Sequence, residues 1–293
     1  MHSTGVLTLA DLHPLGLSRQ EIRGQVRAGR LRRIRSGWFA RPDADPAAVR
    51  AVAAGGAVTC VSALRLAKAA GSSGWASTVW VAPHQGLHVR LPSNSRRLTA
   101  HPEGLVMHQL GRTAGVPTRA IDPLSAAVAA ASTCLPAAEW VAVVDSLLHA
   151  GYPADDLLSD AIAVWPYREN HLVTLMKRTN TLSESGSESL LRHDLQRAGF
   201  RVRVQVLIGP DRVDLLVGDR LVIECDSVAH HTSLDNYFRD RRRDQRLSRL
   251  NYHVLRVTYQ EVLNERPRLV ELVRELARQG VHTWGRVHRG SAA

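Results

Sequence analysis

Apolar positions recur at helical spacing twice near the start of the chain. Thr8 caps a short helix that reaches Leu15 and is stopped by Gly16, and Ser18 with Glu21 three residues later forms a capping box for a second helix, which Gly29 ends. On that second helix Leu17, Ile22 and Val26 face inward, while Arg19, Arg23 and Arg27 repeat every four residues on another face. Leu31, Ile34 and Trp38-Phe39 flank Ser36-Gly37, which predicts a short hairpin carrying Arg32 and Arg33. Seven arginines stand between Arg19 and Arg35 against one acid, Glu21. A winged helix-turn-helix has this layout: its second helix enters the major groove and its hairpin holds phosphate.

The next region alternates less regularly. The pattern predicts a helix from Val61 to Ala70, strands at Thr78 to Ala82, Leu87 to Leu91 and Gly104 to Leu110, then helical stretches from Pro123 to Leu148, Ala154 to Val164 and Arg168 to Lys177. Thr179 to Gly186, rich in Ser, Thr and Asn, reads as a linker.

Beyond it a helix from Ser185 or Ser187 carries Leu190, Leu191 and Leu195 on one side and stops at Gly199. Val202, Val204, Val206 and Ile208 alternate along a strand, Gly209-Pro210-Asp211 turns into Val213 to Val217, and Gly218-Asp219 turns into Leu221 to Asp226. A charged helix from Leu234 to Leu250, a strand at His253 to Thr258 and a helix from Gln260 to Arg278 follow. The fold class expected is α/β in a multidomain α+β chain: a winged helix at 1–57, a mixed α/β connecting region at 58–178 and an α/β core at 179–293.

Composition sharpens this picture. The 293 residues carry a formal net charge of +11 and a pI near 10.6, too long a chain for one small core and basic enough to favour an acidic partner such as DNA. Hydrophobic residues at 44% exclude general disorder. No apolar run is long enough to span a bilayer, and the first residues lack a signal-peptide pattern, so a cytoplasmic, nucleoid-associated protein is expected. Only Lys68 and Lys177 are lysines; the other cations are arginine, whose planar fork grips phosphate with two bonds. Cys60, Cys134 and Cys225 are far apart, and His84, His88, His101 and His108 lack paired ligand spacing, so neither a disulfide framework nor a zinc site is expected.

Carboxylates stand where the C-terminal strands should be apolar. Asp214 interrupts Val213 to Val217, and Glu224 and Asp226 share one face of Leu221 to Asp226. A three-residue turn at Gly218-Asp219-Arg220 sets Asp214 opposite Glu224 and makes the acids converge; a two-residue turn pairs Val213 with Glu224 and separates them. Convergence would give an oxygen-lined site suited to magnesium or manganese. Glu188, three residues after Ser185, reads equally as a cap.

These residues carry a resemblance. Glu188-Ser-Leu-Leu-Arg192, Val213-Asp214-Leu, Val222-Ile-Glu224-Cys-Asp226, His230-His231 and Arg239-Asp-Arg-Arg-Arg-Asp-Gln-Arg-Leu247, leading to Val254-Leu-Arg256, resemble the domain-of-unknown-function-559 family. That family belongs to the PD-(D/E)XK nuclease superfamily and is similar to very-short-patch repair endonucleases. The N-terminal segment, through Gly16-Leu-Ser, Gly29-Arg-Leu-Arg-Arg and Gly37-Trp-Phe, resembles the winged helix of AbiEi-type antitoxins. The resemblance implies a restriction-endonuclease-like core and metal-dependent DNA hydrolysis. Asp214 and Glu224 would bind Mg²⁺ or Mn²⁺ with Glu188 completing the shell, and Asp226 would join the catalytic acids. His230 or His231 would move the proton, Arg192, Arg243 and Arg256 would contact DNA, and Gln205 would orient a ligand or water.

Two departures stand out. Many superfamily members place a lysine two residues after the Glu; here Asp226 holds that position, and Ser227 replaces the usual following glycine. The repair-type branch does not need that lysine. The competing reading is an antitoxin-like transcriptional regulator that keeps an inactive nuclease fold.

Overall fold

The computed structural model describes residues 4–70, 79–81, 83–93, 95, 103–226 and 234–284. The chain divides into two compact units, Met1–Lys177 and Arg178–Ala293.

The first unit opens with β1 (Val6–Thr8), α1 (Leu9–Leu12), a 3₁₀ turn at His13–Leu15, α2 (Arg19–Arg27), β2 (Arg32–Arg35) and β3 (Trp38–Ala40). Both expected caps form: Thr8 and Asp11 make a capping box for α1, and Ser18 and Glu21 make one for α2. Gly16 adopts φ +75° between the helices, a left-handed turn that favours glycine. The hairpin turns at Ser36-Gly37, and β1 completes a three-stranded antiparallel sheet in the order β1-β3-β2. Leu12, Ile22, Leu31 and Phe39 close a small core, with Leu17 and Val26 packed against it. That burial turns Arg19, Arg23 and Arg27 to the outside.

The other side of this sheet joins a second core. Val6 and Trp38 pack with α3 (Pro46–Ala53), β4 (Ala57–Val58), β5 (Leu87–Arg90) and Ala127 of α5 (Leu124–Cys134). The sequence pattern did not mark β1, α3 or β4, which are too short or too small-residue-rich to show a period. Helix α4 (Cys60–Ala70) follows β4, and β6 (Leu105–His108) completes a sheet ordered β4-β5-β6, with β5 and β6 parallel.

The strand expected at Thr78 to Ala82 does not form over Val79 to Val81, and its two ends lie outside the described residues. The Trp80 N–H instead donates to Ser146 Oγ at 2.9 Å. That hydroxyl belongs to α6 (Ala137–His149), which with α5, α7 (Ala154–Val164) and α8 (Glu169–Met176) forms the helical part. Trp140 is fully buried and donates its ring N–H to the Val128 carbonyl at 3.0 Å.

The second unit is α9 (Gly186–Arg197), β7 (Val202–Ile208), β8 (Asp211–Val217), β9 (Leu221–Asp226), α10 (Leu234–Arg249), β10 (His253–Thr258) and α11 (Tyr259–Arg278). The sheet runs β10-β9-β8-β7, antiparallel except for β10, which lies parallel to β9 across the α10 crossover. Ile208, Val213, Leu216, Val222 and Leu247 form a core between one sheet face and α10. Leu190, Leu191 and Leu195 of α9 are fully buried, each contributing roughly 1.5–3 kcal/mol. The β8–β9 pairing is Leu215↔Ile223, Leu216↔Val222 and Val217↔Leu221, so the turn has three residues. Gly218 is required there: its φ is +63°, and a Cβ would lie 2.3 Å from the His282 carbonyl oxygen.

Candidate active site

The three-residue turn selects the converging register. Carried one residue past Leu215↔Ile223, that register sets Asp214 of β8 opposite Glu224 of β9, and Asp214 Oδ2 accepts a hydrogen bond from the Cys225 N–H at 2.9 Å. Glu188 reaches the same place from the first turn of α9. Its backbone N–H donates to Ser185 Oγ at 3.2 Å, while its buried carboxylate accepts from the Glu184 N–H at 3.1 Å. Glu188 therefore supports the helix start and belongs to the acidic cluster at once.

Gln205 on β7 binds the cluster together. Its Nε2 donates to Glu188 Oε2 at 3.0 Å and to Asp214 Oδ1 at 3.5 Å. Its backbone holds φ +50° inside a strand, where non-glycine residues rarely go, and the β7–β8 ladder lacks the Gln205/Asp214 pair. Arg243 of α10 supplies the nearest cation, donating from Nη2 to Glu224 Oε1 at 2.7 Å and to the Arg212 carbonyl at 2.5 Å.

The electrostatics follow from burial. Loss of water raises the pKa of Glu188 and Asp214, with Asp214 repelling Glu188. Glu224 is pushed up to about 7, first by burial and then by Asp214, with Arg243 opposing. Glu188 and Asp214 are thus joined through the Gln205 amide, and Glu224 adds its charge beside Asp214, with Arg243 and Arg256 opposing it. Hard oxygen donors short of positive charge fit Mg²⁺ or Mn²⁺.

The structure places the remaining expected site residues differently. Asp226 stays outside the cluster: half of its side chain is exposed at the end of β9, and it pairs with Arg256 at 3.3 Å. Arg256 also donates to Asp244 at 2.7 Å, so it lies beside the acids rather than among them. Arg192, expected at DNA, is a correction. It is buried at 2% exposure, and its Nη1 is taken by the Arg178 carbonyl at 3.0 Å and Gln196 Oε1 at 3.1 Å. Its apolar neighbours on α9 turn it inward. His230 and His231 lie outside the described residues.

In the first unit Arg19, Arg23, Arg27 and Arg33 line an open concavity of about 610 Å³ with Leu9, Ile22 and Phe39 at its floor. Arg32 is exposed on the same hairpin. Among the described residues none of these five arginines has an acidic partner.

The cysteine and histidine expectation needs a second correction. Among the described residues, the one set of three or more ligating side chains whose donor atoms all lie within 4.8 Å of one another is Cys60, His88, His108 and Cys134. No short spacing links them in the chain; four separate elements bring them together, which is why no sequence motif marks them.

Residues 188–276 match the family model REase_MTES_1575, a restriction-endonuclease-like family, and so carry a nuclease-like domain. No curated protein matches the chain. Among solved structures, the crystal structure of RV2827C protein from Mycobacterium tuberculosis is similar over 64% of this chain and 76% of that one, at 18% identity and a TM-score of 0.29. Among the described residues no helix is long and apolar enough to cross a membrane.

Proposed function

We propose, from the restriction-endonuclease-like domain at 188–276, that the chain is a divalent-metal-dependent DNA endonuclease whose N-terminal winged helix holds the duplex. The observation that carries this reading is the joining of buried Glu188 to partly buried Asp214 by Gln205, with buried Glu224 close enough to Asp214 for their charges to repel.

These three carboxylates would hold Mg²⁺ or Mn²⁺. When bound, such an ion neutralises charge on the scissile phosphate and acidifies a water. Gln205 fixes the orientation of Glu188 and Asp214 through its amide. Arg243 and Arg256, bound among the described residues to protein carboxylates and a carbonyl, present guanidinium groups for which a phosphate would compete. His230 or His231 takes or returns a proton, since imidazole titrates near neutrality. The five arginines of α2 and the hairpin, which have no acidic partner among the described residues, would grip the backbone of the same DNA.

The test is cleavage of a panel of duplex, mismatched and single-stranded DNA with and without Mg²⁺ or Mn²⁺. Cutting should require the ion and be lost in Asp214→Asn and in Glu224→Gln. Full cleavage by both variants overturns the site. One observation favours a second reading, an antitoxin-like regulator with an inactive nuclease fold: Arg243 already holds Glu224. That reading expects DNA binding that survives Asp214→Asn and no cleavage of any substrate.

A further inference from the structure

Four potential ligands meet in the first unit, outside the acidic site. Cys60 begins α4, His88 lies on β5, His108 ends β6 and Cys134 ends α5. Backbone hydrogen bonds set them in place. The Thr59 N–H donates to the His88 carbonyl at 2.9 Å, and the His88 N–H donates to Ser62 Oγ at 3.0 Å. Cys60 and His88 are fully buried, His108 is 8% exposed and Cys134 is half-buried. His88 Nδ1 lies 3.0 Å from His108 Nε2 and 3.6 Å from Cys134 Sγ.

Those separations can be set against a metal's demands. Tetrahedral zinc with its usual Zn–N and Zn–S bond lengths puts nitrogen about 3.3 Å from nitrogen and about 3.6 Å from sulfur. The observed spacings are within a few tenths of an ångström of both. Cys60 also holds φ +53°, a left-handed backbone that a cysteine adopts only where its surroundings impose it.

We propose that Cys60, His88, His108 and Cys134 form a closed, four-coordinate zinc site that ties α4, β5, β6 and α5 into the first unit. Two sulfurs and two imidazoles are the ligand set of structural zinc and a poor match for the hard ions suited to the acids. Four protein ligands leave no open position, so the ion is structural rather than catalytic. One buried and one half-buried thiolate would be destabilising alone, and a dication held with two neutral imidazoles would neutralise them.

The experiment uses the full chain. Metal analysis of protein purified without added metal should find one zinc per chain, released by a thiol-reactive mercurial into a metallochromic dye. Cobalt loaded after zinc removal should give the intense visible bands of a tetrahedral ion and a thiolate charge-transfer band. Cys134→Ser and His108→Ala should each lose the zinc and unfold at lower temperature, whereas Asp214→Asn and Glu224→Gln keep it. Where a ligand variant fails to fold, the wild-type zinc content and cobalt spectrum decide. The proposal is overturned by metal-free wild-type protein, by an octahedral cobalt spectrum, or by zinc retained in the Cys134→Ser/His108→Ala double variant. Cys60 and Cys134 that resist alkylation after denaturation without reductant also overturn it, since they would then be a disulfide.

Discussion

Replacing Glu224 by glutamine should make the metal-free second unit more stable at alkaline pH while abolishing cleavage. The carboxyl is 4% exposed and its pKa rises from 4.5 to about 7 on folding. Ionising it in the folded chain therefore removes about 3 kcal/mol of stability, an upper value that local relaxation reduces. The sign is fixed by the direction of the shift. A carboxyl raised on folding contributes fully below its unfolded pKa and loses that contribution as pH climbs through the folded value, so the window is pH 4.5 to about 7. Glutamine keeps an oxygen for Arg243 and cannot ionise. Hydrogen exchange of β8 and β9 amides, corrected for intrinsic rates, should show the variant more protected than wild type by ~1–3 kcal/mol at pH 8. The gap should vanish at pH 4.5. Magnesium should then raise wild-type protection and leave the variant unchanged. A variant less protected at pH 8, or a gap independent of pH, refutes the electrostatic account.

Two other outcomes follow from the geometry. Neutralising Arg19, Arg23 and Arg27 together to glutamine should weaken DNA binding and flatten the plot of log affinity against log salt by roughly 0.9 for each phosphate that is no longer neutralised; an unchanged slope places the DNA elsewhere. Gln205→Gly and Gln205→Ala both delete the bridging amide, but only glycine relieves the left-handed backbone, so Gln205→Gly should be more stable by roughly 1 kcal/mol in urea unfolding. An alanine variant as stable as the glycine one would mean that the backbone at 205 stores no strain.

The parts of this molecule legible in its sequence are those fixed by local rules. Ser18 with Glu21 announced a helix start, the alternation of Val202, Val204, Val206 and Ile208 announced a strand, and Gly218 marked a turn. The meeting of Asp214 with Glu224 depended on one open variable, the length of that turn, and the pairing Val217↔Leu221 resolved it. What stayed hidden depends on distant packing. Arg192 reads as a surface cation until the packing of α9 turns it inward, and Arg243 reads as a phosphate ligand until α10 lays it on Glu224. Cys60, His88, His108 and Cys134 illustrate the limit best, because only the tertiary fold brings them together.

The unusual backbone of Gln205 has a consequence for how the protein lives in a crowded solution. Strand β7 is the outer edge of its sheet, with Leu207 70% exposed, the kind of rim onto which a second extended chain adds itself. A left-handed residue in mid-strand rotates its peptide groups out of line and interrupts the row of donors and acceptors such a chain would need. Arg201 and Arg203 add exposed charge along the same rim. The residue that steadies two carboxylates on one side of the strand thereby guards the sheet against self-association on the other.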